Sequence, residues 1–276
     1  RRVVEEVRDP SIFFGFLSRE GLPHPRTWCG ARTPEVAGRT RCLWKGTRSG
    51  GGAKVRPAIS GETRPRGHYL QERLAGSPGS AAFVADGTRA VLLGVTEQLS
   101  GFRELGGGGY RYGGNITGPP GRLLPDAALA VLRRAATSIT RRFGLRGLNG
   151  LDFVLTSGTP HLIEVNPRYT ASMELLEEMT GLNVVDLHLD AITDGRLSWP
   201  RASSTPTGVC KASTPTSWPG AAAAICRRRG RSSRPAIRSA RSWRRAPRPR
   251  NAAASSPGGP GRSDGSCGPV ASRRVC

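Results

Sequence analysis

Gly150-Leu151-Asp152-Phe153-Val154-Leu155, then Thr156-Ser157-Gly158-Thr159-Pro160, then His161-Leu162-Ile163-Glu164-Val165-Asn166-Pro167-Arg168 is the stretch on which the fold turns. Two apolar-alternating runs flank a segment of turn formers, the pattern of a β-hairpin. With the loop centred on Gly158, Asp152 falls opposite Glu164, and Asn166 lies two residues on. Side chains alternate faces with a period of two. One face then carries Asp152, Glu164 and Asn166, and the other carries Phe153, Leu155, Ile163 and Val165. An acidic pair on a solvated strand is ordinary. Three oxygen-bearing side chains backed by an apolar face also suit a hard cation. Mg²⁺ takes oxygen ligands and usually shares its shell with phosphates. Arg168, just past the strand, is placed to clamp a phosphate with its planar fork.

Upstream, Leu43-Trp44-Lys45-Gly46 precedes Ser49-Gly50-Gly51-Gly52-Ala53-Lys54-Val55. Consecutive glycines let the backbone approach a ligand and aim N–H groups at phosphate oxygens. Lys45 ends a short apolar run and would bring a point charge to them. The spacing is not that of a P-loop, and a flexible surface loop has the same composition. A third segment, Gln71-Glu72-Arg73-Leu74-Ala75-Gly76-Ser77-Pro78, reads as a short strand running into a Gly/Pro turn, a hinge whose backbone could read a base.

A lysine, a glycine loop, a Q-E-R-L-x-G hinge, then D-F-V-L and L-I-E-V-N-P-R, in that order, resemble the ATP-grasp superfamily over about residues 12–200. The branch most similar is that of carboxylate–amine ligases of the carbamoyl phosphate synthetase and tyramine–glutamate ligase kind. The resemblance implies an α/β (α+β) chain with two antiparallel-sheet lobes, flanking helices and a nucleotide between the lobes. It implies ATP and Mg²⁺ as cofactors, with Mn²⁺ as a substitute, and small-molecule carboxylate and amine substrates. The acid would be activated as an acyl phosphate and attacked by the amine. By the same resemblance Asp152, Glu164 and Asn166 are the metal ligands, and Lys45 with Gly50, Gly51 and Gly52 holds the phosphates. Gln71, Glu72 and Leu74 belong to the adenine hinge, Leu162 packs on the adenine, and Arg168 stabilises the transferred phosphoryl group. Residues 85–99 fit a hairpin of the second lobe, and 110–116 a substrate-facing loop. Three positions depart from the family pattern: Gly46 stands where proline is usual, Lys54 where a small residue is usual, and Ser80 where an acid holds the ribose.

Outside these motifs, residues 11–25 read as a short amphipathic helix and a Gly-Leu-Pro turn. Residues 125–143 carry an apolar stripe at helical spacing with Asp126 near the start, Arg141-Arg142 near the end and Gly144 beyond. A further helix is expected from Ser172 as its N-cap, and another from Val184 to Asp194-Gly195. His161 and His188 read as structural rather than catalytic. The expected organisation is a remnant of a preceding region over 1–40, with an N-terminal α/β domain missing. An ATP-grasp domain follows over 41–203, and an Arg/Pro/Ser/Ala-rich tail over 204–276. The alternative is a non-catalytic remnant or a basic-tailed module that binds nucleic acid.

No run of 18 apolar residues exists, so no transmembrane helix is expected. The charged start is not a signal peptide. Six cysteines without C-x-x-C spacing fit neither a zinc site nor a disulfide scaffold, and the cytoplasm is the expected setting. The net charge of +22 would suggest nucleic acid, but residues 204–276 hold 15 Lys/Arg against one acid. Their composition lacks apolar periodicity, so a disordered basic segment is expected. Three readings compete: a basic arm that binds nucleic acid, an inert segment, or an out-of-frame product of a GC-rich gene, since three lysines stand against 39 arginines. Removing residues 204–276 is expected to leave the rest folded, as read by its melting curve. Strong hydrogen-exchange protection of tail amides would contradict that expectation.

Overall fold

The hairpin forms with a shorter turn than its composition suggests. Strand β8 (Arg146–Thr156) and strand β9 (Thr159–Asn166) are joined by Ser157-Gly158 alone. Both turn residues have positive φ, 49° and 81°. That is the backbone of a type I′ turn, whose twist matches the strands it joins. A two-residue turn by itself would set Asp152 against Ile163. Instead the register slips by one between Phe153, which pairs with Leu162, and Asp152, which pairs with Glu164. Ile163 is the extra residue of a β-bulge.

The structure, a computed structural model, describes residues 2–30, 41–59, 61–103, 108–118 and 123–197, and the backbone of 210–211. Helices α1 (Arg2–Arg8) and α2 (Pro10–Arg19) precede strands β1 (Thr27–Trp28), β2 (Cys42–Gly46), β3 (Val55–Pro57) and β4 (His68–Glu72). Strands β5 (Ser77–Asp86), β6 (Ala90–Ser100) and β7 (Tyr112–Thr117) lead to helix α3 (Asp126–Phe143). After β8 and β9 come α4 (Ala171–Thr180), α5 (Val184–Thr193) and the two-residue β10 (Cys210–Lys211). Two antiparallel sheets result, in the orders β1-β4-β2-β3 and β10-β7-β6-β5-β8-β9. The expected pair of antiparallel-sheet lobes with flanking helices is therefore present.

Local chemistry explains the helices. Asp9 caps α2 by accepting from the backbone N–H groups of Ser11 and Ile12 at 2.9 and 3.2 Å, with Pro10 in the first turn, where its missing N–H costs nothing. Gly144 closes α3 in the left-handed conformation, as a C-terminal glycine does. The start of α4 differs from expectation. Thr170, not Ser172, holds the cap position, and neither hydroxyl caps a backbone N–H; they bond each other at 2.8 Å. Helix α1 was hidden by its charged composition; only Val7 of its residues is buried.

Both faces of the larger sheet are used, in different ways. Ala81, Phe83 and Ala85 of β5, Leu151 and Phe153 of β8, and Leu162 and Val165 of β9 pack against Phe13, Phe14, Leu17, Leu132 and Ile139 of α2 and α3. On the opposite face Ala82, Val84, Leu93 and Leu148 pack under α4 and α5. Leu93 reaches that face through a second bulge, between the pairs Ala82–Gly94 and Phe83–Leu92. These helices cover one end of the face. Farther along the same strands it is open, and the cavity described below lies there. His188 is structural, accepting the Leu148 N–H at 3.1 Å.

The tail expected from residue 204 is not wholly free of pairing, because Cys210–Lys211 pairs with Thr117 and Ile116 at the sheet edge. Edge pairing uses backbone groups and needs no apolar pattern. The boundary for removal therefore moves to residue 212. Residues 212–276, and the competing readings of them, lie outside the described residues. No described helix is long and apolar enough to cross a membrane.

The β5–β6 turn rests on Asp86, which accepts from Thr88 N, Thr88 Oγ1, Arg89 N and Arg89 Nε at 2.7–2.9 Å. Burial works against its charge, but these donors hold its carboxyl well below the usual carboxylate range. A depressed pKa means the stabilisation is complete above the ordinary carboxylate pKa and is lost as pH falls below it. Asp86→Ala is expected to cost about 2 kcal/mol at neutral pH and progressively less on acidification, measured by urea unfolding at several pH values.

Candidate functional site

A cavity of about 800 Å³ lies between the two sheets. That is within the range typical of small-molecule sites, roughly 300–1,000 Å³. From the smaller sheet it is lined by Leu43 and Lys45 of β2, Val55 of β3, and Tyr69 and Gln71 of β4. The alternate residues Cys42, Trp44 and Leu70 form a separate apolar cluster. From the larger sheet come Pro78 and Ser80, Gln98 and Ser100, Tyr112 and Asn115, Asp152 and Val154, and Ile163, Glu164 and Asn166. Glu72, Leu74 and the glycine loop at 50–52 close one side, and Arg168 and the start of α4 close another.

The structure brings Asp152, Glu164 and Asn166 together. Asp152 and Glu164 are cross-strand partners, and Asn166 Nδ2 donates to Asp152 Oδ2 at 3.0 Å. Gln98 Nε2 donates to Asp152 Oδ1 at 3.1 Å. Burial and the neighbouring Glu164 carboxylate push the Asp152 carboxyl up, while Ser80, Lys45 and Arg168 pull it down. Lys45 is buried and donates through Nζ to Gln71 Oε1 at 3.1 Å. Burial opposes its charge, but Tyr69, Glu164 and Asp152 more than offset that and hold its pKa up. Arg168 bridges Asn166 Oδ1 at 3.3 Å and the Tyr169 carbonyl at 3.0 Å.

Other expected site residues are placed differently. Leu162 is fully buried in the main core, paired with Phe153, and does not line the cavity; Ile163 does. The bulge is the reason, since it puts two successive residues of β9 on the cavity side. Gln71 does line the cavity, but its side chain is occupied: Nε2 donates to Thr27 Oγ1 at 3.1 Å while Oε1 receives Lys45. Glu72 is held by Arg26, with Nε to Oε2 at 3.0 Å. The Gln71 and Glu72 side chains are thus both engaged within the protein. Ser80 faces Asp152 across the β5–β8 ladder instead of standing free for a ribose. Tyr112 and Asn115 belong to the 110–116 segment expected as a substrate-facing loop; they line the cavity, but from residue 112 on the segment is strand β7, and Gln98 is the site residue that sequence reasoning did not single out. The polar run within a strand of otherwise apolar alternation was its only signal.

The glycine loop is docked onto the segment before β7. Gly51 O accepts from Tyr112 N at 3.1 Å. Gly52 has φ +73°, and a Cβ there would lie 1.9 Å from the Tyr110 carbonyl oxygen. The departures at 46 and 54 meet in space: Gly46 N–H donates to Lys54 O at 3.0 Å, and a Cβ on residue 46 would lie 3.0 Å from the Lys54 Cβ.

Two facing carboxylates and an amide form an all-oxygen donor set of the kind Mg²⁺ takes. No group of three or more His, Cys, Asp or Glu placed to hold a metal occurs among the described residues. Asn166, water and phosphate oxygens would therefore have to complete the shell. The Asp152 carboxyl is pushed up first by burial and then by the neighbouring Glu164 carboxylate, and a bound dication would offset both.

A family model for the ATP-grasp domain matches residues 9–172, more than half of the chain. The chain belongs to that family. It is 30% identical over 112 residues to the carbamoyl phosphate synthase large chain of Saccharolobus islandicus, covering 41% of this chain and 10% of that protein. With the same enzyme of Thermomicrobium roseum the identity is 25%, over 72% of this chain and 20% of that one. The chain thus spans a small part of these relatives. Among solved structures, the biotin carboxylase domain of Hydrogenobacter thermophilus 2-oxoglutarate carboxylase, in complex with MgADP and bicarbonate, superposes with a TM-score of 0.58 at 18% identity, covering 72% of this chain and 48% of that one. N5-carboxyaminoimidazole ribonucleotide synthetase of Thermotoga maritima gives 0.53 at 18% identity, covering 71% and 52%. At such identities the likeness is one of fold.

The tight seat of Gly52 yields a prediction. Gly52→Ala is expected to displace the loop and weaken Mg-ATP binding by about tenfold or more, because the positive φ and the carbonyl contact are both incompatible with a methyl. Isothermal titration checks the affinity, and the melting temperature of the ligand-free variant should change little.

Proposed function

We propose that this chain is the ATP-grasp portion of an ATP-dependent carboxylate–amine ligase. One observation carries the reading. The half-buried, facing carboxylates Asp152 and Glu164 lie on the floor of a cavity whose opposite wall supplies the buried ammonium of Lys45. An apolar slot of Leu43, Val55, Leu74, Pro78, Val154 and Ile163 suits a purine, with the hinge backbone reading its edge. Lys45 and the N–H groups of the glycine loop suit the phosphates.

Asp152, Glu164 and Asn166 would hold Mg²⁺. When bound, the ion would neutralise charge on the phosphate oxygens and orient them for in-line transfer. The acid's carboxylate oxygen attacks the terminal phosphorus, and the bond to the β-phosphate oxygen breaks, releasing ADP. The amine nitrogen then attacks the acyl carbon, phosphate leaves with the C–O bonding pair, and the nitrogen gives up a proton. Arg168 lies at the cavity mouth with a planar fork suited to the transferred phosphoryl group. Lys45, fixed between Gln71 and the carboxylates, contributes a charge that needs no reorganisation during the step. The relatives' small-molecule substrates support the substrate class.

Mg-ATP should stabilise the protein, by about 2.7 kcal/mol at a hundredfold excess over Kd. Glu164→Ala is expected to lose most of that, read as the shift in melting temperature. An equal shift in the variant would refute the assignment of Glu164, and no shift in the parent protein would refute nucleotide binding.

A further inference from the structure

Lys45 is aimed from outside the cavity. It stands on β2 opposite Tyr69, and the next pair on that face is Leu43 with Gln71. Lys45 and Gln71 are therefore diagonal neighbours in the smaller sheet, within reach of long side chains. Gln71 in turn lies directly opposite Thr27 on the edge strand β1. The three side chains form one hydrogen-bonded row across β2, β4 and β1, and none is more than 9% exposed.

The row has a direction, and Thr27 sets it. Its hydroxyl carries one hydrogen, which goes to the Pro25 carbonyl at 3.0 Å. Oγ1 is then left to Gln71 as an acceptor. Of the two ends of the amide only Nε2 can meet it, as it does at 3.1 Å. Oε1 is thereby turned to Lys45 and receives Nζ at 3.1 Å. This orientation follows from the Thr27 end alone, whatever the charges around the lysine. The segment that anchors Thr27 is itself keyed to the larger sheet, because the Pro23 carbonyl accepts the Leu162 N–H of β9 at 2.8 Å. The place of the ammonium is thus referred back to the strand that carries Glu164.

We infer that Thr27 is a positioning residue for the nucleotide: by fixing the Gln71 amide, it holds the Lys45 ammonium where the phosphates bind. This rests on the ligase reading above and adds to it a determinant outside the cavity, since Thr27 is fully buried and is not one of the lining residues. Without the hydroxyl, Nε2 becomes a buried donor with no partner, and turning the amide over sets its N–H groups against the ammonium. Either way Lys45 loses a fixed acceptor, and its long stem regains rotamer freedom that nucleotide binding must then remove.

The test titrates the full chain with magnesium and a non-hydrolysable ATP analogue by calorimetry. Thr27→Val, close to threonine in shape but without the hydroxyl, is expected to bind the analogue about tenfold more weakly, the loss expected for one hydrogen bond. Thr27→Ser keeps the hydroxyl and should keep the affinity. A loosened β1 edge would also weaken binding in the valine variant, and Gln71→Glu added to Thr27→Val separates the two causes. Its carboxylate has two acceptor oxygens and no N–H to satisfy, so it meets Lys45 whichever way it turns and should recover most of the affinity. A packing defect at residue 27 would not be repaired in this way. Parent-like affinity in Thr27→Val, lost affinity in Thr27→Ser, or no recovery in the double variant overturns the inference. If Thr27→Val does not fold, Gln71→Met removes the same acceptor with Thr27 intact and should weaken binding at least as much; unchanged affinity there overturns the inference as well. No binding of the analogue by the parent protein refutes the ligase reading itself.

Discussion

One extra residue in one strand decides what this molecule can do. Ile163 is inserted between two otherwise regular halves of the β8–β9 ladder, and the slip it creates puts Glu164 opposite Asp152. Without it, the two-residue turn would pair Asp152 with Ile163 and send Glu164 to the face where Leu162 and Val165 are packed. A carboxylate there would be enclosed by Phe153 and the aromatic residues of α2, at a cost of several kcal/mol. The bulge therefore serves both faces. It keeps the core apolar and the cavity floor acidic within the same eight-residue strand.

The electrostatics follow from that register. Two carboxylates held together in the cavity need positive charge, and the smaller sheet supplies it through Lys45. The ammonium is itself buried, which would be costly without Gln71, Tyr69 and the facing acids. Each lobe thus carries charge that the other helps to balance. Gln71 takes part by being occupied. Tied to Thr27 and Lys45, it fixes the ammonium in place.

How far these features can be read from the sequence depends on their range. Helix α3 was legible because its stripe, its acidic start, its basic end and Gly144 are all local. The Asp152–Glu164 pairing was legible too, although by two errors that cancel. A loop centred on Gly158 predicts the same register as a shorter turn plus a bulge. Leu162 exposes the difference, since a bulge has no composition of its own and moved Ile163 into the cavity in its place. The polar side chains of β6 and β7 were legible in part: Tyr112 and Asn115 fall in the segment read as substrate-facing, whereas Gln98 gains meaning only from its contact with Asp152 across strands. The cap at Thr170 failed to register because a serine two residues on has the better local credentials.

The contact between Gly46 and Lys54 bears on how this chain can vary. Read singly, each residue is a deviation from its family's habit. In the fold they are one feature, since the Gly46 N–H is spent on the Lys54 carbonyl and the space a side chain would take at 46 is filled by the Lys54 methylenes. Proline at 46 would remove that donor and press its ring on the lysine at the same time. The donor would be lost whatever side chain stood at 54, because its partner is a backbone carbonyl, and the nearest contact, the Lys54 Cβ, is shared by every residue but glycine, so the main chain itself ties these two positions together.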